Sequence, residues 1–160
     1  MSRYQTFSFD EYSFDQNTKT LTFNYSIDDQ IKFVEQYQFD LEIDQNMSQD
    51  TLDRACKIDF LIAGVSYYKT YLPPSIIYRD IEVDQNLADF LSKTYQKGLG
   101  EFFYVNNLDP KTPIVFPSNN SDVKVVSGDG TGALIGIGGG KDSLVTIEKL
   151  KCVSIFFLAI

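Results

Sequence analysis

Residues 133–143 constrain the fold of this chain more than any other segment, because they predict a strand, a tight loop and a helix in direct succession. An apolar run at 133–137 ends in three glycines at 138–140, and helix-forming residues continue from Lys141 to Leu150. Such a junction points backbone N–H groups and the positive end of a helix dipole at one spot. That spot favours an anion, typically phosphate or pyrophosphate.

Composition excludes several classes of function. A net charge of −8 over 160 residues argues against a basic nucleic-acid surface, and the absence of histidine removes His-dependent catalysis and most zinc sites. Cys56 and Cys152 lie in apolar contexts, so we expect buried, small hydrophobic residues rather than a disulfide. The first residues lack the apolar core of a signal peptide, and the apolar run at 153–160 is too short to cross a bilayer. We therefore expect a cytoplasmic protein without membrane contact.

The first 43 residues predict a three-stranded antiparallel meander. Apolar residues alternate with polar ones over 21–27 and again over 31–43, where Glu35 is the one exception, and the aromatic segment 6–14 supplies a third strand. The aromatic content of this meander predicts that one of its faces packs on the helices that follow.

Two helices are expected next. Ser48 is an N-cap for a helix running to about Lys69, which ends before Pro73 and Pro74. Its apolar stripe consists of Leu52, Cys56, Phe60, Ala63 and Tyr67, widened by Ile58, Ile62 and Val65. Residues 76–83 predict another strand. A second helix opens at Asn86, carries Leu87, Phe90, Leu91 and Tyr95, and breaks near Gly98 and Gly100.

We place a domain boundary in the polar stretch after Ser118. The prediction is a mixed α+β domain over 1–118 and, over 119–160, the start of an α/β nucleotide-binding domain. The apolar residues 152–160 are typical of a parallel strand buried on both faces, which completes one βαβ unit. Two parallel strands are not stable alone, so we expect a truncated chain whose further strands are missing.

Three nucleotide-loop templates compete for the glycine segment. The Walker pattern fails because Ile135 stands at its first glycine and Asp142 follows the lysine. The dinucleotide pattern fails in its final spacing. A Gly-Gly-x-Asp-Ser template fits residues 139–143 without gaps. A glycine-rich turn that binds nothing is the alternative.

That match resembles the PP-loop of the N-type ATP pyrophosphatases, which split ATP into AMP and pyrophosphate while adenylating a substrate. The resemblance implies that Gly139 and Gly140 cradle phosphates, that Ser143 adds a hydroxyl, and that Asp142 organises the loop or its Mg²⁺. Gly138 replaces the first serine of the usual motif, so the phosphate contact of that serine hydroxyl falls to the backbone or to Lys141.

Read with the upstream segments 63–69 and 98–108, the loop resembles the N-terminal part of the UDP-N-acetylmuramoyl-L-alanyl-L-glutamate epimerases of bacterial cell-wall synthesis. The resemblance implies ATP and Mg²⁺, a UDP-linked muramoyl dipeptide substrate, and inversion of L-glutamate through an acyl-adenylate. The proton-transferring base and the oligomeric state stay open.

The resemblance also gives candidate residues. The nucleotide-binding candidates are Gly138, Gly139, Gly140, Lys141, Asp142 and Ser143, with Asp142 also a metal ligand; the substrate-binding candidates are Ser66, Tyr67, Lys69, Glu101 and Asn106. Packing by Tyr67, a solvated Lys69 and a capping Asn106 are the structural alternatives. The alternative functions are another PP-loop adenylating enzyme (an amidotransferase or a tRNA-thiolating protein) and a non-catalytic nucleotide-binding fragment.

Overall fold

The computed structural model describes residues 3–40, 47–120, 132–137, 140–150 and 154–159. The chain divides into two compact units, Met1–Val123 and Lys124–Ile160. The boundary placed between residues 118 and 119 stays a prediction, since it adjoins residues 121–131, which lie outside the described ranges. No helix within these ranges is long and apolar enough to cross a membrane.

The first unit is built on a four-stranded mixed sheet. Strands β1 (Thr6–Asp15), β2 (Thr20–Ile27) and β3 (Ile31–Gln38) are antiparallel neighbours, which confirms the predicted meander. Strand β4 (Ser75–Tyr78) lies parallel to β1, so that the order is β3–β2–β1–β4.

A β-bulge at Asp10 shapes both neighbours of β1. The register shifts between Phe9 and Glu11, which leaves Asp10 as the extra residue. The parallel pairing of β4 ends at Phe9, whose carbonyl accepts the N–H of Arg79 at 3.1 Å. The strand predicted over 76–83 is therefore wrong in length, because the partner strand bends away at the bulge.

The first helix begins where the sequence indicates and ends earlier. Helix α1 (Gln49–Ala63) is capped by Ser48, whose hydroxyl accepts the Thr51 N–H at 3.1 Å. Gly64 separates it from α2 (Val65–Tyr68), so the single helix predicted to Lys69 is wrong. The Tyr95 hydroxyl donates to the Leu61 carbonyl at 2.7 Å. In a continuous α-helix that carbonyl would accept the N–H of Val65.

Two further helices complete the first unit. Helix α3 (Gln85–Gly98) is capped by the Asp84 carboxylate, which accepts the Leu87 N–H at 3.0 Å, and α4 (Gly100–Val105) follows directly. Ala88, Leu91 and Tyr95 form the buried face of α3. Phe90, which the sequence also assigns to this helix, is 52% exposed, because it lies outside the stripe that these three positions define.

An aromatic core lies between the sheet and α1. The Phe60 ring stacks on Tyr25 at 4.8 Å and contacts Phe9 and Phe23 at 5.4 and 5.2 Å. The predicted packing of the aromatic sheet face on helices is thus confirmed. Cys56 is buried as predicted, whereas Cys152 lies outside the described residues.

The second unit contains strand β5 (Gly132–Ile137), helix α5 (Lys141–Lys149) and strand β6 (Ser154–Ala159), with the two strands parallel. This is the expected order of elements. The assignment of this unit to a PP-loop ATP pyrophosphatase-like domain stays a prediction.

Candidate functional site

The predicted nucleotide loop leads into an open helix N-terminus. Gly140 is the N-cap of α5 with φ −82° and ψ 157°, and no side chain caps the helix there. A Cβ atom added to Gly140 would meet nothing within 4 Å. Gly138 and Gly139 lie outside the described residues. The described half of the loop thus leaves both space and backbone donors at the start of α5.

Three polar side chains follow in the first turn of α5. Lys141 and Asp142 are exposed, and the Ser143 hydroxyl donates to the Gly140 carbonyl at 2.7 Å. This arrangement fits an anionic ligand, because the lysine charge and the helix dipole both favour negative charge at this end. Asp142 adds a negative charge, which suits a ligand that carries a divalent cation. No group of three or more possible metal-binding side chains occurs among the described residues, so the role of Asp142 toward Mg²⁺ stays a prediction.

Tyr67 belongs to the edge of the aromatic core. Its ring stacks on Tyr25 at 5.0 Å and contacts Phe33 at 4.9 Å. Ser66 and Lys69, its neighbours at α2, are both exposed. The structure therefore gives Tyr67 a packing role, and it leaves the substrate roles of all three residues as predictions.

Glu35 is a residue that sequence reasoning missed. It lies on the helix-covered face of β3, opposite Phe23, and the Tyr37 hydroxyl donates to one of its carboxylate oxygens. This hydrogen bond raises the pKa of Tyr37 to about 12. Burial and the same carboxylate raise the pKa of Tyr67. The Oε2 atom of Glu35 is buried and has no hydrogen-bond partner in the described part of the chain. The signal was the acidic residue within an otherwise apolar alternation.

Glu101 and Asn106 mark the two ends of α4. Glu101 is exposed in the first turn, and the Asn106 side-chain amide donates to the Phe102 carbonyl at 2.8 Å. Asn106 thus caps the helix, as its structural alternative predicts. No hydrogen bond or ion pair within the described ranges joins either residue to Ser66, Tyr67 or Lys69. The five substrate candidates therefore do not form one cluster of polar contacts.

A cavity of about 680 Å³ lies beside α4. It is lined by Gly100, Tyr104, Val105, Asn107, Leu108 and Pro110. None of the five substrate candidates lines this cavity, although Asn107, which does, directly follows Asn106.

A second cavity, of about 630 Å³, lies beside the bulge, and a polar cluster around Asp10 forms part of its lining. Asp10 accepts hydrogen bonds from the hydroxyls of Ser8 and Ser26 at 2.6 and 3.0 Å, and from Arg79 and Lys32 at 3.1 and 3.2 Å. Burial opposes ionisation of this carboxyl group, but the four donors together hold its pKa below the usual value. The cluster is internally satisfied and holds the bulge in place.

A comparison with protein families decides what these features belong to. The model of the MurL N-terminal domain matches residues 1–159. The chain belongs to the MurL N-terminal domain family.

Three relatives of this MurL domain share one name. A protein of Salinispora tropica is 32% identical over 164 residues and one of Micromonospora sp. 30% identical over 167, each alignment covering 94% of the chain. A protein of Xanthomonas oryzae pv. oryzae is 40% identical over 102 residues, or 62% of the chain. All three are named UDP-N-acetyl-alpha-D-muramoyl-L-alanyl-L-glutamate epimerase.

The MurL-type chain is short beside these proteins. The aligned region spans 35% of the length of the Salinispora and Micromonospora proteins and 23% of the Xanthomonas protein. No solved structure matches the chain.

Proposed function

We propose that this chain is the N-terminal part of an enzyme that epimerises the terminal L-glutamate of UDP-N-acetylmuramoyl-L-alanyl-L-glutamate in peptidoglycan precursor synthesis. The observation that carries the proposal is the MurL family match over residues 1–159, together with the shared name of three relatives. ATP dependence is supported by the Gly-Gly-x-Asp-Ser sequence at 139–143 and by the open N-terminus of α5.

The proposed reaction has three steps. The α-carboxylate oxygen of glutamate attacks the α-phosphorus of ATP, so that an acyl-adenylate forms and pyrophosphate leaves. A base removes the Cα proton, which the activated carbonyl acidifies, and a proton returns to the opposite face. Water then cleaves the acyl-phosphate bond, giving the D-glutamate carboxylate and AMP. Activation is needed because an ionised carboxylate strongly disfavours a neighbouring carbanion.

The residues of the loop have distinct proposed roles. The backbone N–H groups at Gly139 and Gly140 bind the phosphates, Lys141 neutralises their charge, and Ser143 contributes a hydroxyl. Asp142 is proposed to hold the loop or the Mg²⁺ that accompanies ATP. Donors fixed in place before the reaction stabilise the charge that develops on departing pyrophosphate. Ser66, Tyr67, Lys69, Glu101 and Asn106 stay proposed contacts of the muramoyl dipeptide, with no base assigned among them.

The test uses the protein expressed with its full natural reading frame. Incubation with ATP, Mg²⁺ and UDP-N-acetylmuramoyl-L-alanyl-L-glutamate should release AMP and yield D-glutamate, as measured by nucleotide chromatography and chiral amino-acid analysis. AMP without inversion would assign another adenylating enzyme of the PP-loop type. If neither AMP nor D-glutamate formed, the result would favour a non-catalytic nucleotide-binding fragment.

Two variants test the loop assignment within that assay. Asp142→Asn and Ser143→Ala should abolish AMP formation while the far-ultraviolet circular dichroism stays that of the wild type. Thr146→Ala is the matched control, because its hydroxyl also donates to a carbonyl of the same helix, that of Asp142 at 2.9 Å, one turn further on. Wild-type turnover in both loop variants would contradict the assignment.

A further inference from the structure

The side chain of Tyr104 is exposed to solvent because of the way its helix, α4, packs on the core. Phe103 is buried and Phe102 packs against the core, which turns Tyr104 and Val105 away from it. Tyr104 is 84% exposed and Val105 65% exposed. The Tyr104 side chain makes no ring contact or hydrogen bond with other described residues. Nothing in the packing of the described residues requires an aromatic ring at this position.

Hydrogen bonds fix the wall of the cavity beside Tyr104. Asn107 adopts the left-handed conformation with φ 54°, and the Leu108 N–H donates to the Phe103 carbonyl at 2.9 Å. Gln96 secures the following loop: its side-chain amide donates to the Pro110 carbonyl at 2.7 Å and accepts the Ile114 N–H at 2.9 Å. The pocket is therefore formed before any ligand arrives.

The chemistry of the lining favours one kind of ligand. None of the six residues that line the cavity carries a charge, so the lining favours a neutral group. Tyr104 offers a flat aromatic face. The side-chain amide of Asn107 makes no hydrogen bond with the described residues, and it offers an N–H donor next to a carbonyl acceptor. A neutral planar ring with a donor next to an acceptor on its edge matches both groups.

We infer that this cavity binds the uracil ring of the UDP-linked substrate. Uracil is neutral and planar, and its imide edge places an N–H between two carbonyl oxygens, which complements the Asn107 amide. Stacking of a base on an aromatic side chain is a common and strong contribution to nucleotide binding. The choice of uracil among neutral rings rests on the proposed function, whereas the pocket and its two polar partners are features of the structure.

Gly98, at the end of α3, and Gly100, at the start of α4, give a matched test. A Cβ atom at either Gly98 or Gly100 would meet nothing within 4 Å, but only Gly100 lines the cavity. Binding of UDP to the protein with its full natural reading frame is measured by titration calorimetry without ATP. Gly100→Leu and Tyr104→Ala should each weaken UDP binding by about tenfold or more, and Gly98→Leu should leave it unchanged.

Asn107→Gly tests recognition of the imide edge. Glycine keeps the left-handed backbone, and a purely structural role for Asn107 would leave base preference unaltered. We expect the wild type to bind UDP more tightly than its N3-methyl derivative, which lacks the imide N–H, and the variant to lose most of that preference.

Two results would overturn the inference: UDP affinity that is unchanged in both Gly100→Leu and Tyr104→Ala, or loss of ADP affinity in place of UDP affinity. UDP binding is measured without turnover, so it is separate from the epimerase assay. An inactive enzyme that needs Tyr104 to bind UDP would contradict the proposed function and support the pocket.

Discussion

Helices α1 and α5 differ in what satisfies their first turn and in what covers their apolar side chains. Ser48 caps α1 with its own hydroxyl, and Cys56, Phe60 and Leu61 are buried. Helix α5 begins at an uncapped glycine and buries none of its described residues; Leu144 is 60% exposed. The comparison shows that α1 is organised for packing, whereas the start of α5 keeps its donors available.

This difference predicts two separate kinds of mutational effect. Substitutions around α1 should change the free energy of unfolding, because each removes or crowds buried contacts. Substitutions at the start of α5 should change nucleotide chemistry with little effect on stability, because exposed side chains contribute little to it.

The largest expected effect is at the centre of the aromatic core. Phe60→Ala should lower the free energy of unfolding by about 3–5 kcal/mol, since its ring contacts Phe9, Phe23 and Tyr25. Urea titration followed by circular dichroism measures the loss. Phe90→Ala, at an exposed aromatic of α3, should cost less than about 1 kcal/mol. Equal losses in the two variants would refute the placement of the core.

Gly64 should tolerate substitution poorly although it lies between two helices. A Cβ atom there would lie 2.6 Å from the Phe9 ring and 3.0 Å from the Tyr95 hydroxyl. Gly64→Ala should therefore cost about 1–3 kcal/mol through overpacking. Gly98→Ala, where a Cβ meets nothing within 4 Å, should be neutral or slightly stabilising. Thermal melting of the pair provides the comparison, and a Gly64 variant as stable as the Gly98 variant would be the contrary result.

The polar cluster at the bulge should give the first unit a dependence on acid pH. The pKa of Asp10 is lowered in the folded state, so its ionised form contributes stability above the ordinary pKa of about 3.8. That contribution is lost as the pH falls from about 3.8 through the lower folded-state pKa.

Asp10→Asn should therefore lower stability at pH 7 by about 1 kcal/mol, from weaker hydrogen bonds with Ser8 and Ser26. Its unfolding free energy should also fall less steeply below pH 4. Measurement of urea midpoints between pH 2.5 and 7 checks both statements; parallel curves for wild type and variant would show that Asp10 does not titrate as described.

The smallest effect on stability is expected at α5. Ser143→Ala should change the free energy of unfolding by less than about 0.5 kcal/mol, because the hydroxyl serves only the Gly140 carbonyl in the described structure. The same variant should abolish AMP release. A destabilisation as large as that of Gly64→Ala would remove the distinction between the two helices.

Local patterns in the sequence predicted those features that depend on neighbours along the chain. The alternation over 21–27 and 31–43 predicted β2 and β3, and Ser48 predicted the start of α1. The break at Gly64 and the short β4 depend on contacts with distant residues, namely Tyr95 on Leu61 and the bulge at Asp10. Single-chain periodicity carries no information about such contacts.

The candidate site divides in the same way. The motif at 139–143 could be found by its spacing, whereas Tyr104 and Asn107 required the fold to show one exposed and the other in the left-handed region. Glu35 was visible in the sequence as an exception, but its contact with Tyr37 depends on side-chain geometry within β3.

The two tyrosine hydroxyls at the end of α1 have a consequence for cooperativity. Tyr25 of β2 donates to the Phe60 carbonyl at 2.8 Å, and Tyr95 of α3 donates to the next carbonyl, that of Leu61. Because the acceptors are consecutive, α1 cannot rotate about its axis or slide along it without breaking both bonds. The amide hydrogens of β2, the C-terminal half of α1 and α3 should therefore exchange slowly and with similar protection, because these elements open as one cooperative unit.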